Sequence, residues 1–441
     1  MEKNILLRQF TKYVSLNILG MLGVSCYILA DTYFIAEGMG TLGLAALNIA
    51  IPAFSLFGSF GMMLGIGGST RYTIAMSRGD EKEAGAVFNN TLAAIIAIAV
   101  VFELAGFLAC GQIVRLLGAD DATFDMTYTY LRMLFLFSPF FLLNNLFMAF
   151  VRNDDEPKLS MIAQLIGSFS NIILDYIFIF PLQMGIFGAV LATCMSPIIS
   201  LAILAIHRIK RKNRFHLRPT KISGARLGGV VSLGVPSFVA EISSGLVIMI
   251  FNIIILGIEG NVGVAAYGVV ANVSIVVTAI FNGIAQGSQP LISRSYGRGD
   301  SEAISKYMKY ALATVAAVAT VIYAIIFAFA TPITAVFNSE NNIMLQAIAE
   351  IGLKIYFGAA LFAGFNIFAA IFFSSSEKSL PAQIISLSRG IVLIVPMAFI
   401  LSDIFGMTGV WLSYPVTEAI VSIFAIVFIK KGGNKNEKVC D

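Results

Sequence analysis

Charge is what this sequence has least of. Only 12% of its 441 residues are Asp, Glu, Lys or Arg, about half the share of an ordinary soluble domain. With so few charges there is no basic, aromatic-interleaved surface of the kind that grips nucleic acid, and none is expected as a partner. Histidine occurs twice, at His207 and His216, with no further ligands nearby in sequence, so no metal site of that type is expected. Cys26, Cys110, Cys194 and Cys440 form no CxxC pair, which argues against a zinc centre or a disulfide framework. They read as small apolar fillers. The chain also lacks a GxxxxGK[ST] loop, which argues against an ATP-driven pump.

What remains is apolar. Hydrophobic residues make up 58% of the chain and the mean hydropathy is +0.87. Spread over the whole length, such a composition implies that lipid surrounds most of the protein. A helical membrane span needs about 20 mostly apolar residues. Twelve such runs are present, at about 11–35, 42–68, 86–109, 128–151, 159–180, 185–207, 229–257, 262–290, 308–330, 346–373, 381–402 and 406–429. The first is longer than the apolar core of a secretory leader and is not closed by a small-residue cleavage site, so it reads as the first span. Connections 2, 6 and 8 and the C-terminal tail hold the Lys and Arg, most densely in "HRIKRKNRFHLRPTKISGAR", with eight. The odd-numbered connections, "EGMGT", "PLQMG", "EGN" and "NSENN" among them, have almost none. The positive-inside rule then predicts a multi-pass cell-membrane protein with both termini cytoplasmic.

The sequence repeats itself. "SRGDEKEA" at 77 returns as "GRGDSEAI" at 297, and "TLGLAA" at 41 as "NVGVAA" at 261. Further on, "GIFGAVLAT" at 185 matches "GMTGVWLSY" at 406, and Asn145 matches Asn366, with one extra residue of offset that an insertion near 340 explains. The predicted fold is therefore an all-α integral membrane protein of twelve helices in two six-helix repeats. Six is even, so the repeats are parallel, related by an axis along the membrane normal. The predicted units are 1–206, a basic cytoplasmic linker at 207–226, 227–430, and a tail at 431–441. A cleft between two such bundles is where a solute would sit. Pro52, Pro139, Pro197, Pro236, Pro396 and Pro415 fall inside the runs, where each frees backbone carbonyls and permits a bend.

Ionisable residues within spans usually face a bundle interior and mark ion or substrate paths. Arg132, Glu350 and Lys354 lie near span ends, where long side chains reach the interface. Asp175 lies deep in "SNIILDYIFIF", and Asn171 is one turn earlier on the same face. Thr193 stands as far past the turn near residue 184 as Asp175 stands before it, placing both roughly 13 Å from the outer surface. Asp31, in "SCYILADTYFIA", has a comparable depth. Asp31, Asn171, Asp175 and Thr193 thus form a candidate oxygen-rich cluster suited to Na⁺ or to exchangeable protons, with no other cofactor expected.

"DDATFD" at 120–125 resembles the carboxylate clusters that hold Mg²⁺-diphosphate in intramembrane prenyltransferases, but it occurs once, in an outer loop, and reads as a solvated turn. More extensive is the resemblance of "GGSTRYTIAMSRGDEKEA", of "SNIILDYIFIFPLQMGIFGAVLAT" and of "ADTYFIA" to the MATE (multidrug and toxic compound extrusion) family, covering nearly the whole chain. The resemblance implies twelve helices in two lobes and export of amphipathic, mostly cationic drugs in exchange for Na⁺ or H⁺, by a monomer in lipid. It also implies an N-lobe cation site on Asp31, Asn171, Asp175 and Thr193, the set already reached from depth. NorM-like members pair an acid in helix 7 with one in helix 10. Here Glu241 is present in helix 7, but "YFGAALFAGFNIFAAIFF" has no acid, so the pattern is closer to DinF-like branches with an N-lobe site. Glu241, Asn145, Phe141, Met148, Met249 and Phe281 are the expected cleft-lining residues, since soft side chains suit varied ligands. A flippase for a lipid-linked saccharide is the alternative transporter reading.

Overall fold

The computed structural model describes residues 2–217, 220–338 and 342–437. Cys440 and the extra residue near 340 lie outside these. So do Arg218 of the linker and the end of the tail.

Among the described residues the chain is helical throughout, without strands. Helix α1 (Glu2–Ser77) carries the first two spans. It is followed by α2 (Glu81–Leu108), the short α3 (Cys110–Leu116), the bent pair α4 (Phe124–Leu136) and α5 (Ser138–Asn153), α6 (Pro157–Ile179) and α7 (Gly185–Ile209). The second half repeats this order with α8 (Gly224–Gly297), α9 (Ser301–Ala328), the short α10 (Ala330–Phe337), α11 (Ile343–Tyr356) with α12 (Ala360–Ser375), α13 (Ser379–Leu387) with α14 (Ile394–Phe405), and α15 (Met407–Glu437). Counting α1 and α8 as two spans each, and each broken pair as one, the described residues contain the twelve spans expected.

Two predicted connections are corrected. "EGMGT" and "EGN" are not loops: helix runs through both, and the chain turns at single residues, Gly40 (φ 64°, ψ −153°) and Gly260 (φ 62°, ψ −153°). That backbone conformation is essentially closed to residues with a Cβ, so one glycine replaces a loop. The same economy explains the repeated "RGD". Gly79 and Gly299 take positive φ and end a helix. Asp80 and Asp300 then cap the next one, accepting from the amides of Glu83 (2.9 Å) and Ala303 (2.8 Å). Gly185 and Gly406 match likewise, with φ of 57° and 58°. The short helices α3 and α10 had no legible signal, being brief amphipathic turns after a span.

The fourth span bends by 49° between α4 and α5, where Pro139 opens the new helix. The tenth passes through a 3₁₀ turn, Phe357–Ala359, and the eleventh through a π turn, Ser388–Val392. Pro52, Pro197, Pro236 and Pro415 sit within continuous helices.

The halves touch closely at the end of the molecule that carries the basic connections. A Cβ on Gly234 would run into the Met63 carbonyl, and one on Gly67 into that of Val230. Backbone of α1 at Val14 and Ile18 lies against Gly287 and Gly283 of α8. Around these contacts is a polar layer: Asn153 donates to Gln289 (2.9 Å), Gln289 to Thr70 (2.8 Å), and buried Arg152 to Gln286 (3.1 Å) and Asn17 (3.0 Å). The linker is docked on the first half. Arg226 forks onto Glu83 (2.8 and 3.0 Å), and buried Asp154 accepts from Tyr72, His207 and the Arg214 amide.

Candidate cation site and central cleft

The first limb of α1 runs alongside α6. Gly20 meets Gln164, Gly23 meets Leu165, Phe34 packs edge-on against Phe180, and Gly38 meets Ile179. This register brings Asp31 level with the stretch between Asn171 and Asp175. Helix α7 returns along α6: Ser200 donates to the Ala163 carbonyl (2.9 Å), Ser196 to that of Gly167 (2.9 Å), and Gly188 meets Phe178. Thr193 therefore falls at the same level. Small residues at these crossings allow the close approach.

All four residues are buried, Asn171 and Asp175 completely. The carboxyl groups of Asp31 and Asp175 lie close to each other and interact. Both Asp175 oxygens, one Asp31 oxygen and the amide of Asn171 have no donor or acceptor in the protein. Thr193 donates to the Ala189 carbonyl (3.2 Å). Two residues that sequence reasoning missed complete the chamber. Tyr130 of α4 is buried near Thr193 and both acids, and Tyr27 of α1 is near the acids and Glu241. In sequence neither stands out from the other aromatics of the spans. Only the folding of α4 onto α6 and α7 puts the Tyr130 phenol there.

Four acids are buried among the described residues: Asp31, Asp154, Asp175 and Glu418. Asp154 has His207 (2.9 Å) and Arg214 (3.3 Å), and Glu418 has Arg389 (2.7 Å). Among the described residues Asp31 and Asp175 have no basic partner. Two bare carboxylates in contact away from water repel strongly. A proton shared between them, or a small cation held by their free oxygens with Asn171 and Thr193, removes that repulsion. The donors are all oxygen, as a hard monovalent cation requires, and the residues fit Na⁺ as well as a proton.

Glu241 of α8 is exposed. It faces Gly58 of α1, 3.5 Å from where a Cβ would stand. Neighbouring hydroxyls do not satisfy its carboxylate: Ser244 donates to the Glu241 carbonyl (2.8 Å) and Ser243 has no partner. Met249, two turns further on, is 63% exposed. Phe141 is half-buried against Phe54, Met148 accepts from Ser160 (3.4 Å), and Asn145 donates to Phe141 (3.2 Å) while packing on Gly61. Phe281 does not line the cleft. It is 1% exposed and fills the second-half core against Gly364, because its side of α8 turns inward. "DDATFD" is a turn: Asp120 accepts from Thr123 (2.9 Å) and Asp121 pairs with Arg115 (2.6 Å).

Twelve spans in two repeated halves, packed closely at the end that carries the basic connections, define a membrane transporter. The chain belongs to the MatE family, whose model matches residues 17–177 and 236–400, one stretch in each half. It is similar to the Multidrug export protein MepA of Staphylococcus saprophyticus subsp. saprophyticus, 26% identical over 417 residues and covering 93% of this chain and 91% of that one. Similarity to MepA of Staphylococcus aureus (strain MRSA252) is 24% over 417 residues, with the same coverages of 93% and 91%. Among solved structures, the fold matches an outward-facing multidrug resistance MATE family transporter of the MOP superfamily, with TM-score 0.91 and 22% identity, over 98% of this chain and 96% of that one. It also matches a MOP superfamily transporter from Pyrococcus furiosus described by the reverse polarity of its binding pocket, with TM-score 0.88 and 21% identity, over 95% and 94%.

Proposed function

We propose that this protein is an antiporter that exports amphipathic, mostly cationic compounds in exchange for Na⁺ or H⁺, by alternating access in the cell membrane. The observation that carries the reading is the facing pair Asp31 and Asp175, buried without a basic partner. Its similarity to proteins named for multidrug export supports the substrate class. The two lobes are 1–206 and 227–430, linked on the cytoplasmic side by 207–226, and they work as a monomer in lipid. Coupling runs through the N-lobe, as in DinF-like branches.

A cationic, apolar compound enters the cleft and is held near Glu241 and the soft residues around it. The lobes then part on the outer side, a step that the close contacts at the basic face support. A cation then loads between Asp31 and Asp175 and draws the first limb of α1 toward α6. Tyr27, one turn before Asp31, faces both the acids and Glu241, so this movement reshapes the cleft wall. Export needs the cation to favour the state that binds the compound poorly. The alternative flippase reading needs a free cationic group for a diphosphate, and Arg389 is tied to Glu418.

Proteoliposomes given separate Na⁺ and pH gradients, with ethidium efflux as the readout, test the reading. Efflux should follow one gradient and fail in Asp31→Asn and Asp175→Asn. Undiminished gradient-driven efflux in both variants would refute it.

A further inference from the structure

Resting on that cation-coupled reading, we infer that Arg389 is a built-in counter-ion for Glu418, so that the second half of the chain takes up no exchangeable cation. Each half buries a polar chamber between its last two spans. In the first half the chamber holds two bare acids. Their repeat mates, at offsets of 220 and 221 residues, are Phe251 and Pro396, and the mates of Asn171 and Thr193 are Val392 and Tyr414. The acid of the second chamber is Glu418, one turn past Tyr414 on α15, at the position that matches Pro197. Arg389 stands where the first half has Ser168.

The two chambers differ in what fills them. Glu418 is 1% exposed. Its Oε1 accepts from Arg389 Nη2 (2.7 Å) and Nε (3.1 Å), and its Oε2 from Asn366 Nδ2 (2.7 Å) and Arg389 Nε (3.4 Å). Asn366 is fixed in turn by Ser422 (3.2 Å) and by the Glu418 carbonyl (2.8 Å). Tyr414, stacked on Tyr356 at 4.5 Å, closes the guanidinium side. Every carboxylate oxygen is thus occupied by a donor, whereas both Asp175 oxygens are free. A forked guanidinium matches a carboxylate and does not give up its proton. It supplies permanently the charge that a mobile ion supplies in the first half. Arg389 sits in the π turn Ser388–Val392, a wound-out segment of the kind found where a side chain is placed for a purpose.

The titratable groups facing Glu418 are Arg389, Tyr356 and Tyr414. The test uses the full chain in nanodiscs with Asp31→Asn and Asp175→Asn already present, and reads the thermal midpoint against NaCl, KCl and choline chloride at pH 8 and pH 6. That background should respond to none of them. Adding Arg389→Ala leaves Glu418 bare, and the midpoint should rise by about 3 °C or more with Na⁺, K⁺ or acid. Adding Glu418→Gln as well should abolish the response and restore folding should Arg389→Ala alone impair it. The inference is overturned if the Arg389→Ala protein folds but answers to no cation, or fails to fold and is not rescued by Glu418→Gln. It is equally overturned if the background, with Arg389 intact, keeps a cation response that Glu418→Gln removes. The antiport reading fails separately, in the two-gradient efflux assay with Arg389 intact.

Discussion

Arg294, near the end of α8, holds its guanidinium 2.5 Å from the carboxylate of Asp155 in the corner between α5 and α6. Asp155 also accepts from Tyr13 of α1 (3.1 Å) and pairs with Arg214 of the linker. One carboxylate therefore ties both halves and the connection between them into the closed basic face. Partial burial pushes this carboxyl up, but Arg294 and Arg214 outweigh it and hold it below the usual carboxylate range.

That direction sets a pH dependence. A carboxylate depressed on folding contributes stability that is complete above its unfolded value of about 4 and is lost as pH falls through the lower folded value. Thermal unfolding of the wild type and Asp155→Asn should differ at pH 6 and converge as the pH drops below about 4. A gap that stays constant down to the lowest accessible pH would show that Asp155 acts by packing alone.

The same contact predicts a shift in conformation. With Arg294→Gln, the basic face should open more often, and a cysteine introduced at Thr73 should react with a soluble maleimide several-fold faster. Thr73 is buried there beside Asn153. Unchanged labelling would place the closing energy in the apolar contacts instead.

Gly67 and Gly234 allow backbone to meet backbone across the halves. Gly234→Ala should keep the protein in the membrane but prevent that closure, since a carbonyl cannot give way as a flexible side chain can. Efflux should fall at least tenfold while the Thr73 cysteine becomes reactive. Normal efflux would mean the helices slide apart without cost.

Glu241→Gln should weaken binding of a monocationic compound by about tenfold, on the order of 1 kcal/mol for a charge pair in a partly wet cleft. A neutral compound of similar shape should bind unchanged. Equal losses for both would point to a disturbed cleft wall.

Gly40 has open space where a Cβ would go, so Gly40→Ala meets only the backbone cost of its positive φ. It should lower stability by about 1–3 kcal/mol, seen as a lower thermal midpoint. The matching change at Gly260 should cost a similar amount.

Much of this was legible before folding. A span announces itself by length and hydropathy because lipid accepts only helices with every backbone group paired. The twelve runs, their parallel repeat and the "RGD" corners follow from that and from glycine and capping chemistry. Asp31 and Asp175 stood out because a carboxylate in an apolar run is expensive wherever the helix packs. Depth alone matched them with Asn171 and Thr193, since rise per residue is constant along a helix.

Rotation about the helix axis was another matter. It decided that Phe281 faces the core, that Tyr130 and Tyr27 come near the acids, and that Glu241 is exposed and unsatisfied by its neighbouring serines. An apolar stripe read in sequence says a face is greasy, not whether lipid, core or cleft covers it. Partner choice was likewise tertiary. Nothing local distinguishes Glu418 from Asp175 as a buried acid. The packing of the eleventh span beside the twelfth gave one of them an arginine, and that of α1 beside α6 left the other facing a second carboxylate, because counter-charges from distant segments meet only when helices settle side by side.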